Sequence, residues 1–162
     1  MSASDVIAAL KQRGLTIAVA ESLTGGLLVA ELISVPGASA VVSGGVVAYN
    51  TALKHTILGV SRELLDARGA VDPDVADQMA AGVRVACAIG GVPAAVGIST
   101  TGVAGPDPQD GKAVGTVYVG ISSDAGTSIL PLQLEGDREA IRRAVVSESL
   151  AKLLDILSAQ PI

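Results

Sequence analysis

Apolar runs of strand length recur along the chain, separated by stretches whose apolar residues return every three or four positions. Val6, Ile7 and Leu10 mark an amphipathic helix over residues 4–13, with Ser4 as its cap and Gly14 just past its end. Residues 16–21 are mostly apolar on both faces, the pattern of a strand covered by helices on both sides, and a helix over 25–35 runs until Pro36-Gly37 stops it. The second strand, 41–49, contains Gly44-Gly45, which predicts a bulge or a close backbone approach. Asn50 then caps a helix reaching about residue 58, a short helix covers 61–68, and Asp72-Pro73 opens a longer one to about residue 89.

The third strand, 94–100, leads into a Gly-, Pro- and Asp-rich loop over 101–111 that is too short to hold a crossover helix. The next strand, 115–123, is therefore expected to run antiparallel to the third, and the turn Asp124-Ala125-Gly126 joins it to a fifth strand over 127–134. Ile141, Val145, Leu150, Leu153, Leu154 and Leu157 form the apolar stripe of a closing helix. These elements predict an α/β fold, a three-layer α/β/α sandwich on a mixed, mostly parallel five-stranded sheet with one antiparallel strand. One domain over 1–162 is expected.

Composition narrows the function classes. Hydrophobic residues make up 49% against 17% charged, yet no apolar run reaches the ~18 residues of a membrane span, so the apolar excess belongs to the sheet. With no Phe or Trp and two Tyr, the core is packed from Ala, Val, Ile and Leu, and an aromatic platform for nucleic acid is lacking. A net charge of −5 without a Lys/Arg cluster argues further against nucleic acid. The single cysteine, Cys87, excludes an internal disulfide and a multi-cysteine zinc site. No metal and no cofactor are expected. The first residues lack the regions of a signal peptide, which by default places the protein in the cytoplasm, and the apolar composition leaves spare surface for a homodimer.

Candidate chemistry gathers where the parallel strands end. Ser22 stands in the turn Glu21-Ser22-Leu23-Thr24-Gly25-Gly26, between the first strand and the next helix, where a nucleophile could stand; Ser22 or Thr24 as a plain helix cap is the alternative. Tyr49 and Lys54 reach the same edge one crossover later. A lysine serves as base to a serine only if it is largely neutral, which requires a pKa lowered from ~10.4 towards ~7–8, and partial burial or the cations Arg138 and Arg142 would supply that shift. Backbone N–H groups at the glycine turn would stabilise an oxyanion. Thr24, Gly25, Gly26, Thr101, Gly102, Ala104, Gly105, Thr116, Arg138 and Arg142 are the substrate-binding candidates around this edge, and Arg138 is the choice for an anionic group. His55 adjoins Lys54 on the same helix and should point away from it, so it is left out.

Five separated motifs now stand in order: Ala20 to Gly26, Val46 to Lys54, Thr101 to Pro106, Gly115 to Tyr118, and Gly136-Asp137-Arg138. Together they resemble the C-terminal domain of CinA proteins, the nicotinamide-nucleotide amidase family, over nearly the whole chain. The resemblance implies metal-independent hydrolysis of the carboxamide of nicotinamide mononucleotide to nicotinate mononucleotide and ammonia, in pyridine nucleotide recycling. It implies Ser22 as nucleophile, Lys54 as its base and Tyr49 as an assisting hydroxyl, with Thr101, Gly102, Ala104, Gly105 and Arg138 lining the pocket. Leu23, Asp72 and Ala113 depart from the family pattern without removing a proposed catalytic group. The rival readings are a non-catalytic nucleotide-binding or sensor module of the same fold, and a hydrolase of a different amide, since the glycine loops suit any phosphate-bearing ligand.

Overall fold

Every residue of β1 (Ile17–Glu21) is buried, because the strand is paired along both edges and covered on both faces. Residues 2–159 are described in a computed structural model, so the two ends of the expected 1–162 domain lie outside the described residues. Around β1 the chain runs α1 (Ala3–Arg13), α2 (Leu27–Ile33), a 3-10 turn (Ala38–Ala40), β2 (Val42–Val47), α3 (Thr51–Thr56), α4 (Arg62–Arg68) and α5 (Pro73–Ala86). It closes with β3 (Val96–Gly102), β4 (Thr116–Ser123), β5 (Gly126–Gln133) and α6 (Arg138–Ala159). The sheet order is β2-β1-β3-β4-β5; β1 is parallel to β2 and β3, while β4 is antiparallel to both its neighbours. This is the predicted mixed sheet with one antiparallel strand.

The period-2 alternation of β1 explains the three layers. Ile17 and Val19 point into one core with residues of α1, α2 and α6, and Ala18 and Ala20 point into the other with residues of α4 and α5. The second face carries small side chains, which lets α5 approach closely. A Cβ on Gly97 would collide with the Ala80 carbonyl of α5, and the Ser99 hydroxyl donates to the Ala76 carbonyl at 2.6 Å.

Several boundaries differ from the sequence expectation for local reasons. Ser2, not Ser4, caps α1, because Asp5 completes a capping box with it. The helix expected over 25–35 is shorter, starting at Leu27, since Gly25 and Gly26 take left-handed conformations (φ 59° and 102°) and form the turn. The register slip of β2 falls at Ser43, beside the glycine pair, as β1 steps from Val42 to Gly44. α5 stops at Ala86 instead of residue 89, and Ile89 and Val92 close a tight turn behind it. Asp72, one of the departures noted above, caps α5 by accepting from the Asp74 N–H at 2.8 Å.

Because β1, β2 and β3 are parallel, Ser22, Ala48 and Gly102 follow or end their strands on one edge of the sheet. Ligand sites of open α/β sheets form outside that edge, where neighbouring crossovers diverge.

Candidate active site

Ser22 is fixed from both sides. Its N–H donates to the Thr100 carbonyl at 3.0 Å, which extends the β1–β3 pairing by one residue, and its carbonyl accepts from the Gly25 N–H at 3.2 Å. Thr24 ties the turn to β3, its hydroxyl 2.7 Å from that of Thr100, both residues fully buried.

Lys54 enters from α3. Asn50 caps that helix by accepting from the Ala52 N–H, and the first turn then carries Lys54 beneath the end of β2. The whole residue is inaccessible to solvent, and Nζ lies 2.9 Å from Ser22 Oγ and 2.7 Å from the Ala48 carbonyl. Among the described residues Lys54 has no carboxylate partner. Burial therefore disfavours the ammonium form and pushes the amine from 10.5 down to about 8. The arginines expected to help do not account for this shift; burial alone does.

A cavity of about 350 Å³ opens over the pair. Its lining includes Ser22, Lys54, Tyr49, Thr101, Gly102, Ala104, Gly105 and Arg138, so these candidates come together. Arg138 spans the mouth, donating to the Gly105 carbonyl at 2.7 Å and to the Tyr49 hydroxyl at 3.0 Å. Tyr49 is 60% exposed and receives its hydrogen bond from Arg138; it makes none with Ser22 or Lys54. The arginine has no carboxylate partner among the described residues, which leaves its charge available to an anion.

Thr24, Gly25, Gly26, Thr116 and Arg142 do not line this cavity. The Thr116 hydroxyl donates to the Gln133 side chain between β4 and β5. Arg142 braces the Ser22 turn from behind, donating to the carbonyls of Leu23 and Thr24 while pairing with Glu139. His55 hydrogen-bonds the Val60 carbonyl, away from the cavity as expected.

Glu21 is the residue that motif reading passed over. Its buried carboxylate accepts from the N–H groups of Gly26, Leu28 and Val29 at 3.0, 3.0 and 2.8 Å. It thus occupies the N-terminus of α2, and the anion site expected at the glycine turn is already filled from within the chain. The legible signal was a charged residue ending an otherwise apolar strand just before two glycines. The N–H of Leu23, which directly follows the serine, has no acceptor among the described residues, and Leu23 lines the cavity. Glu21→Gln places an amide donor against N–H donors; it should destabilise the fold by about 2–4 kcal/mol in a denaturant titration. An unchanged midpoint would show that the carboxylate does not hold the turn.

A serine hydroxyl against a buried lysine with no counter-ion among the described residues, at the strand-end edge of a doubly covered mixed sheet, defines an α/β/α domain with a serine–lysine pocket. The chain belongs to the CinA C-terminal domain family, whose model matches residues 1–157. It is 46% identical over 156 residues to a CinA-like protein of Frankia casuarinae, covering 96% of this chain and 35% of that protein. The chain thus spans about a third of the length of such relatives. Among solved structures, a competence-damaged protein (CinA) superfamily protein from Klebsiella pneumoniae superposes with a TM-score of 0.91 at 29% identity, covering 98% of this chain and 96% of that one. The competence/damage inducible protein CihA from Agrobacterium tumefaciens gives 0.87 at 33% identity, covering 96% and 93%.

Proposed function

We propose that this domain is an amidohydrolase that converts the carboxamide of nicotinamide mononucleotide to the carboxylate, releasing ammonia, as a step in pyridine nucleotide recycling. The observation that carries the reading is the 2.9 Å contact between Ser22 Oγ and a buried Lys54 Nζ that has no counter-ion among the described residues. Neutral Lys54, held by the Ala48 carbonyl, accepts the Ser22 proton as Oγ attacks the carboxamide carbon. The negative charge on the carbonyl oxygen is met by the free Leu23 N–H. The Lys54 ammonium then protonates the departing amine, ammonia leaves, and an acyl-Ser22 ester remains. Water attacks this ester, with Lys54 again taking the proton, and the carboxylate product and Ser22 are restored. Arg138, unpaired at the mouth, holds the phosphate, and Tyr49 stays oriented by its bond from Arg138.

Incubation with nicotinamide mononucleotide under metal chelation tests the reading. Ammonia and nicotinate mononucleotide should appear in equal amounts; nucleotide binding without ammonia would instead favour the non-catalytic module. Because the base must be neutral, kcat/KM should rise with pH and level off above about 8. A profile flat from about pH 6 to about pH 9 would remove Lys54 from the role of base.

A further inference from the structure

Asp107 is the one carboxylate among the residues lining the cavity, and no feature of the serine–lysine chemistry uses it. It stands exposed between Pro106 and Pro108. Pro108 keeps the backbone of Asp107 out of the helical region, and the rings of Pro106 and Pro108 each fix their own φ, so the carboxylate is carried on a stiff segment. That segment is tied down on both sides. Arg138 holds the Gly105 carbonyl at 2.7 Å, and the Asp110 side chain accepts from the Ala70 N–H at 3.3 Å. Among the described residues Asp107 itself has no hydrogen bond and no ion pair, although Arg138 sits two residues from it across the Gly105 carbonyl. A mounted, unpaired acceptor on the wall of a cavity is placed for something the cavity receives.

The geometry points to Asp107 as a specificity-determining residue that favours amides carried on a permanently cationic ring. This rests on the amidase reading and deepens it. A ligand with an anionic tail and a ring cation is dipolar, and the cavity answers with the Arg138 guanidinium at the start of α6 and the Asp107 carboxylate on the β3–β4 loop, neither of them ion-paired among the described residues. A ligand of equal shape with a neutral ring would meet the guanidinium but gain nothing from Asp107.

The test compares wild type with Asp107→Asn, which keeps the shape and removes the charge. Both proteins are titrated calorimetrically with nicotinamide mononucleotide and with a benzamide nucleotide of the same phosphoribosyl tail and a neutral ring. Ammonia release is followed in parallel, and thermal scans confirm that both proteins are folded. The expected result is a wild-type preference for the cationic ring that Asp107→Asn lowers about five-fold, the effect of a rim-exposed charge pair, with binding of the neutral-ring probe unchanged. Equal weakening for both probes, or no weakening, overturns the inference while ammonia release sustains the amidase reading. Charge-selective binding with no ammonia release overturns the amidase reading and leaves the role of Asp107 standing. Absence of binding and turnover by the wild type overturns both.

Discussion

Lys54→Met is expected to abolish amide hydrolysis, with kcat reduced by about 10³-fold or more, while leaving the protein folded. Loss of a positioned base alone accounts for about 10²–10⁴ in rate, and methionine matches the lysine stem in length without a proton acceptor of comparable basicity. The stability side follows from the same burial. Unfolded, the amine titrates at 10.5; folded, it titrates at about 8. Between those values the unfolded chain binds the extra proton, so wild-type stability should rise with pH across this window and be lowest, by about 3 kcal/mol, below it. Methionine removes that pH dependence. It also leaves the Ala48 carbonyl without its donor at a cost of about 1–3 kcal/mol, so at neutral pH the two effects nearly cancel. Denaturant titrations at about pH 7 and about pH 10 would expose the outcome. A variant that unfolds outright, or a wild type whose stability falls as pH rises through the window, would contradict the account of Lys54.

Ser22→Ala should be equally severe for activity and milder for the fold. In the proposed mechanism Oγ is the atom that forms the acyl bond, and loss of a nucleophile acting with its base costs up to about 10⁶ in kcat. The turn itself is held by contacts that alanine keeps: the N–H to Thr100, the carbonyl to Gly25, and the Arg142 donations to Leu23 and Thr24. Substrate affinity should therefore stay close to wild type, because Arg138 and the loop after β3 remain in place. The variant is then a binding-competent, inactive protein. Turnover within ten-fold of wild type would remove Ser22 from the chemistry.

The architecture was largely legible because its signals are local. Alternating apolar runs, Asp72-Pro73 and the short loop after β3 set element order and the direction of β4 before any contact was known. The pairing of Ser22 with Lys54 was legible only through topology, since a lysine early in a helix is ordinarily solvated. What stayed hidden depends on how one element lies against another. Arg138 and Arg142 are one turn apart on α6, yet the first faces the cavity and the second grips the back of the turn. Helical periodicity places them on one side and says nothing of where that side sits over α2. The same holds for Glu21, whose three N–H partners lie five to eight residues ahead and meet it only because Gly25 and Gly26 fold the turn back.

The most direct measurement is acid quenching of the wild type during turnover of nicotinamide mononucleotide, followed by peptide mass mapping. The account predicts an acyl adduct with the mass of the nicotinoyl nucleotide on the peptide containing Ser22, absent from Ser22→Ala. Continued ammonia release by Ser22→Ala, with no adduct on any wild-type peptide, would contradict it.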